Sequence, residues 1–261
     1  MSLIYIPYHL EEPLPDLNAP LPNGFGPGAG VAEVNVELPA EEDVWTRLCR
    51  LYEAVAQTIE PLAGHGSMVP IVSGDCTVTI GIATGLQRAG LDPAVVWFDA
   101  HGDLQTMETS TSGYLSGMAL RFLLGYRADL FTDALGLRPL PEERVLLVDG
   151  RDLDPPEVDY LASARVRQLP VGELTPEALP DLLPDGPLLV NLDLDIIDPG
   201  DLSGLRYPAN GGPSLDDVVK AARSVIGTGR VAALNIACTW FPGHTDSDGV
   251  RERLLSTLLQ P

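Results

Sequence analysis

The sequence predicts an α/β fold, a parallel sheet with helices on both faces. Three observations carry this expectation. Strand-like and helix-like segments alternate along most of the chain. The strand segments are near-continuous apolar runs, as strands buried on both faces require. Two of those runs end in clusters of charged side chains, where open α/β sheets place their ligand sites.

Residues 3–6 read as a first strand, and the Gly- and Pro-rich stretch 23–30 must be a loop. Val44, Leu48, Leu51, Val55 and Ile59 recur at helical spacing and predict a helix within 41–62. A short strand over 69–72 leads into the tight Ser73-Gly74-Asp75 turn. A helix over 77–89 follows, with Gly90 suited to its C-terminal cap. The run 94–98 is a buried strand, 117–124 a helix, and 144–148 and 188–192 are further strands. Ser214 and Asp217 form a capping-box-like pair opening a helix over 214–226, which Gly227 stops. A strand over 231–236 and a helix over 251–259 complete the pattern. No repeat or linker divides the chain, so residues 1–261 are read as one domain.

Composition narrows the function classes. The formal charge of −21, with Lys220 the only lysine, argues against nucleic-acid and anionic-membrane partners. No segment approaches the roughly 18 consecutive apolar residues of a membrane span. The amino terminus lacks a basic n-region and a cleavage site, so a cytoplasmic location is the expectation. Cys49, Cys76 and Cys238 are odd in number and irregularly spaced, which disfavours a disulfide framework.

Asp99-Ala100-His101-Gly102-Asp103 directly follows the strand over 94–98. Residues two apart face the same way if the strand persists, so Asp99 and His101 meet one ion and Asp103 reaches in from the turn. Asp193 and Asp195 repeat the spacing within Asn191-Leu192-Asp193-Leu194-Asp195-Ile196-Ile197-Asp198-Pro199. Charges ending two apolar strands are costly uncompensated, and a metal ion is the simplest compensator. Carboxylates with an imidazole suit Mn²⁺, and Zn²⁺ and Fe²⁺ are also compatible. These ligands exceed the needs of one closed site, so a pair of ions with bridging carboxylates, activating a water as hydroxide, is expected. Taken singly, an Asp-x-His-x-Asp is a turn or helix cap and Asp198-Pro199 a turn. The coincidence of two clusters is what points to metal.

Asp99-Ala100-His101-Gly102-Asp103 resembles the Asp-Ala-His-x-Asp signature of the ureohydrolases, the arginase, agmatinase and formimidoylglutamase family. Residues 191–199 resemble its second signature, in which Asn191 stands where serine is usual, and Ser73-Gly74-Asp75-Cys76-Thr77 is similar to its Gly-Gly-Asp-His-Ser element. The resemblance implies a three-layer α/β/α fold with a mostly parallel sheet of about eight strands. It also implies a dinuclear manganese site whose activated hydroxide cleaves a C–N bond of a small guanidino, amidino or related substrate. A homo-oligomer is expected by the same resemblance. One ion would be held by Asp99, His101, Asp193 and Asp195, and the other by Cys76, Asp99, Asp103 and Asp193. The residue matching Asp103 also steers the hydroxide, so Asp103 is the expected catalytic residue.

Substrate positions carry over from the segments around residues 110–117, 150–157 and 234–238. Ser112, Tyr114, Ser116, Asp154 and Cys238 are the candidates. Besides Asn191, four departures bear directly on the site. Cys76 replaces a ligand histidine; as a thiolate it would favour Zn²⁺ or Fe²⁺ over Mn²⁺, and otherwise it is a small buried filler leaving a single ion. Ser116 replaces a proton-shuttling histidine, Tyr114 an asparagine, and Cys238 the glutamate that pairs with a guanidinium. Asp154 reads equally as a loop carboxylate capping Pro155. His244 is a solvated loop histidine or a replacement shuttle, and His9 and His65 carry surface or structural roles only. Two other readings stay open: a catalytically impaired scaffold or binding protein, and a single-metal amidohydrolase resembling the deacetylases, which needs only Asp99, His101 and Asp195.

Overall fold

Eight parallel strands cross the molecule side by side in a computed structural model that describes residues 2–14, 17, 19, 30–241, 243, 244 and 248–259. The first half supplies β1 (Leu3–Ile6), the small antiparallel pair β2 (Tyr8–His9) and β3 (Glu12–Pro13), β4 (Val31–Glu33), α1 (Val44–Ile59), β5 (Val69–Ser73), α2 (Thr79–Arg88), β6 (Ala94–Asp99), α3 (Ala119–Leu123) and α4 (Ala128–Leu135). The second half supplies β7 (Val145–Asp149), α5 (Pro155–Leu161), β8 (Arg167–Leu169), α6 (Leu179–Leu182), β9 (Leu188–Asp193), α7 (Leu215–Ile226), β10 (Val231–Ala237) and α8 (Val250–Leu259). The sheet order is β4-β1-β5-β10-β9-β6-β7-β8. The expected loop over 23–30 lies, up to residue 29, outside the described residues.

Local chemistry sets most element ends. Asp43 caps α1 by accepting from the amides of Trp45 and Thr46 at 3.0 and 3.2 Å. Ser214 Oγ accepts from Asp217 N at 3.2 Å at the start of α7. Gly90 ends the turn after α2 with φ +83°, a conformation natural to glycine. The helices expected over 77–89 and 117–124 each begin instead with a single 3₁₀ turn, Cys76–Val78 and Ser116–Met118.

The central strands are buried on both faces and mostly apolar, with a few polar residues toward their carboxyl ends. On β6, Val95 and Trp97 pack under the layer containing α1–α4, while Ala94, Val96 and Phe98 pack toward α6–α8. The sequence pattern misses β4 and β8 for a physical reason: both are edge strands with exposed residues, so they lack the double-sided apolar signature. No helix among the described residues is long and apolar enough to cross a membrane.

The connection after β6 runs to β7 on one side, and that after β9 runs to β10 on the other, although β6 and β9 are neighbours. Such a reversal opens a crevice at the carboxyl ends of the strands. Both charged clusters stand there.

Close packing of α1 on α2 depends on Gly81, whose added Cβ would lie 2.5 Å from the carbonyl oxygen of Tyr52 and 2.7 Å from Val55 Cβ. Gly81→Val is expected to lower stability by about 1–3 kcal/mol, the usual range for overpacking, read from denaturant unfolding. An unchanged unfolding midpoint would contradict this account of the helix pair.

Candidate metal centre

Four neighbouring strands deliver the site. Ala237, the last residue of β10, is in register with Ser73 of β5 on one side and Asp193 of β9 on the other. Asp99 closes β6. The chain runs three residues past β5 to Cys76, two past β6 to His101 and two past β9 to Asp195, and all converge above the same edge.

Two groups of ligand atoms result, each with its atoms within 4.8 Å of one another: Cys76, Asp99 and Asp103 form one, and Asp99, His101 and Asp195 the other. Asp99 belongs to both. His101 Nδ1 lies 3.3 Å from Asp99 Oδ1 and 3.2 Å from Asp195 Oδ2. Asp193 stands between the groups, accepting from Cys76 Sγ at 3.0 Å, from Asp195 N at 3.0 Å and from Thr239 Oγ1 at 2.6 Å. Asp103 is held at φ +52°, a left-handed conformation uncommon outside glycine.

Burial drives the electrostatics. It pushes the Asp103 and Asp193 carboxyls well above their ordinary range, with neighbouring carboxylates adding to the shift. Asp195 is pushed up to about 7 by burial and by Asp99. Burial disfavours charge on His101, yet hydrogen bonds to Asp195 and Asp99 outweigh it and push the imidazole up to about 12. The Cys76 thiol is raised by burial and by Asp193. Crowded, desolvated carboxylates that resist ionisation are what a divalent cation relieves. The donor set therefore fits metal, with the carboxylates and imidazole suiting Mn²⁺ and the sulfur leaning toward Zn²⁺ or Fe²⁺.

A cavity of about 250 Å³ opens onto this cluster. Ser112, Tyr114, Ser116 and Asp154 line it together with Asp99, His101, Asp103, Asp193 and Asp195. Asp154 also stands at the N-cap of α5 and accepts from Gln105 Nε2 at 2.8 Å, so it caps the helix while lining the cavity. Cys238 is not brought to the cavity. Cys238, the residue after β10, continues the strand's alternation and joins Ile236 and Trp240 in the apolar layer, and burial raises its thiol. Thr239, one residue on, faces the cavity in its place. His244 is engaged with Arg251, 2.9 Å from its Nδ1, and does not line the cavity.

Several participants went unassigned in the sequence. His9 is buried rather than superficial: its Nε2 lies 2.7 Å from the Tyr114 hydroxyl. No local pattern marks it, since a long-range approach of β2 brings it there. Asn191, in the serine position of the signature, donates to Cys76 Sγ at 3.1 Å, and its Oδ1 accepts from Asn235 at 2.8 Å. Asn235, in turn, meets Ser73 Oγ at 2.9 Å. Polar residues inside otherwise apolar strands were the available signal. Glu157 accepts from Leu104 N at 2.9 Å and from Asp154 N at 3.0 Å, tying α5 to the loop that carries Asp103.

A model of the Arginase family matches residues 29–240. The N(omega)-hydroxy-L-arginine amidinohydrolase of Streptomyces lavendulae is 32% identical over 168 residues, 64% of this chain and 57% of that protein. The arginase of Bacillus subtilis (strain 168) is 30% identical over 171 residues, 62% of this chain and 58% of that protein. The match thus spans little more than half of each curated relative. The Entamoeba histolytica arginase solved with L-ornithine superposes with a TM-score of 0.79 at 17% identity, covering 100% of this chain and 98% of that one, a likeness of fold.

Arg151 ties the crevice together. It pairs with buried Asp149 and donates to the carbonyls of Ile196 (3.1 Å), Asp195 (3.3 Å) and Ala209 (2.8 Å). Arg151→Met leaves the Asp149 carboxylate buried and uncompensated, so a loss of about 3–5 kcal/mol is expected. Chemical denaturation measures it, and a loss below 1 kcal/mol would place this pair with ordinary surface salt bridges.

Proposed function

This chain belongs to the arginase family, and from that membership we propose that it is a metal-dependent hydrolase cleaving a C–N bond of a guanidino, amidino or related small substrate. The observation that carries the reading is the pair of ligand groups sharing Asp99 at the floor of an acidic cavity. Asp99, His101, Asp193 and Asp195 would hold one ion, and Cys76, Asp99, Asp103 and Asp193 the other. Bound there, two divalent ions supply Lewis-acid activation of a water.

The chain's own residues do the rest. Asp103, fixed by its strained backbone at the cavity floor, accepts a hydrogen bond from the attacking water and orients it at the substrate carbon. Among the described residues, seven carboxylate side chains line the cavity and His101 is the one basic group beside them. That field favours a cationic guanidinium or amidinium and disfavours an anionic substrate. Thr239, two residues past β10, steadies Asp193. Ser112, Tyr114, Ser116 and Asp154 supply the polar contacts that position the substrate along the wall.

Metal analysis of the purified chain should give two divalent ions per chain. Turnover across a guanidino and amidino panel, followed as urea or ammonia release, tests the activity directly. Asp103→Asn should abolish turnover with the fold intact by circular dichroism; undiminished turnover would remove the mechanism. One ion per chain with activity toward acetylated amines would favour a deacetylase-like site instead. No bound metal and no turnover after reconstitution with Mn²⁺, Zn²⁺ or Fe²⁺ would leave a scaffold.

Removal of the ions has a thermodynamic consequence as well. Ligand at about 100 times its dissociation constant stabilises a folded chain by roughly 2.7 kcal/mol. For a protein of this size that corresponds to about 5–10 °C. Chelation should therefore lower Tm by that amount, with recovery on adding the ion back. Cys76→Ala should halve the metal content, and a full complement in that variant would exclude the sulfur as a ligand.

A further inference from the structure

Buried Asp75 and His9 and half-buried Tyr114 form a chain of side chains that ends at the cavity. His9 Nδ1 lies 3.1 Å from the carbonyl oxygen of Gly74 and 3.3 Å from Asp75 Oδ2. Both of those atoms are acceptors, so Nδ1 carries a hydrogen. The other ring nitrogen, Nε2, stands 2.7 Å from the Tyr114 hydroxyl. In the Nδ1–H tautomer Nε2 keeps its lone pair, and the Tyr114 hydroxyl then donates to it. Ser116 and Tyr207 also approach Tyr114 Oη, and its remaining lone-pair capacity is turned to the cavity that all three side chains line.

The surroundings fix the three groups in place. Asp75 is fully buried, and its Oδ1 accepts from Thr77 N at 2.6 Å while Oδ2 faces the imidazole. The Tyr114 ring stacks beside His9 with centroids 5.9 Å apart, and Tyr207 covers its outer side at 5.2 Å. Burial and the nearby Asp75 charge raise the Tyr114 phenol, so it stays neutral. The backbone is arranged to bring His9 in. Gly74 passes so close to the hairpin that a Cβ there would sit 2.5 Å from the carbonyl oxygen of Tyr8. The hairpin reverses at Leu10 with φ +52°, a conformation that a leucine seldom adopts.

We propose that His9, oriented by Asp75 and the Gly74 carbonyl, is a positioning residue that takes the hydroxyl hydrogen of Tyr114 and so presents Tyr114 Oη to the cavity as an acceptor for an N–H of a cationic ligand. This rests on the reading of the cavity as a site for a guanidino or amidino cation. His9 touches no ligand itself; it acts through Tyr114. A phenol with a free hydroxyl hydrogen would turn a donor toward such a cation, whereas the oriented one offers a lone pair.

The test is a double-mutant cycle with butylguanidinium as the probe, titrated calorimetrically into the metal-loaded chain. His9→Leu and Tyr114→Phe should each weaken binding roughly tenfold, the scale of one hydrogen bond to a charged group. The double variant should be no weaker than either alone, because both changes remove the same interaction. His9→Gln, which keeps an acceptor near the Nε2 position, should recover most of the affinity. Additive losses, or failure of that recovery with the fold intact, would overturn the proposal by making His9 a packing residue. Independently of any ligand, nitrogen NMR of the His9 ring tests the tautomer: an N–H at Nδ1 with Nε2 bare is expected, and an N–H at Nε2 would overturn the acceptor assignment. Wild-type protein that does not bind butylguanidinium would also overturn it, while the metal count would still stand as the separate measure of the hydrolase reading.

Discussion

Burial of like charge at the carboxyl edge of the sheet is the constraint on which the rest of the molecule turns. Asp99, Asp103, Asp193 and Asp195 are all at most 7% exposed. Two carboxylates about 4 Å apart repel by about 4 kcal/mol at an effective dielectric constant of 20. A whole domain is stable by only about 5–15 kcal/mol, so this arrangement needs opposition from every nearby dipole and cation. The chain supplies part of it. His101 N reaches Asp99 at 2.8 Å, Ala100 N reaches Asp195 at 3.3 Å, and the His101 ring lies between the two carboxylates.

A second tier holds these groups where repulsion would otherwise spread them. Arg151 gathers the carbonyls of residues 195, 196 and 209 around one guanidinium and pairs with Asp149, fixing the turn after β9. Asp149 itself takes a positive φ of 83° at the end of β7, and Gly150 N then returns to the Asp99 carbonyl at 2.9 Å. Glu157 does the same for the loop carrying Asp103. Polar groups anchored on rigid strand ends and short turns lose little freedom when a ligand arrives, so less of the binding free energy goes into ordering them.

The sequence made the central strands legible because burial on both faces leaves a near-continuous apolar run, as in 94–98 and, interrupted only by Asn191, in 188–192. Asp99, His101, Asp103, Asp193 and Asp195 were legible for the complementary reason: charges at the ends of such runs have no cheap structural explanation. What stayed hidden depends on distance in sequence. His9 meets Tyr114 across 105 positions, and Asn191 meets Cys76 across 115, so neither contact leaves a local period. Thr239 was overshadowed by Cys238 because motif matching assigns a position, whereas the pleat of β10 decides which of two neighbours faces the cavity. The edge strands β4 and β8 escaped because one side of each is solvated.

The departures from the family pattern are coupled to one another through Asp193. Cys76 stands where a histidine is usual, and its sulfur both donates to Asp193 and receives Asn191 Nδ2. Asn191 stands where a serine is usual, and it links through Asn235 to Ser73, so a line of buried amides crosses from β9 to β10 to β5. On the far side, Cys238 withdraws into apolar packing and Thr239 donates to the same carboxylate. Asp193 is therefore approached from the ends of β5, β9 and β10 by donors of different kinds. A buried site losing its ligand chemistry residue by residue would leave unpaired polar atoms, each costing about 1–3 kcal/mol. At Asp193 the substituted positions and their neighbours are hydrogen-bonded instead, and the network they form has sulfur at its centre. The substitutions at this edge therefore leave a satisfied polar network rather than orphaned buried groups.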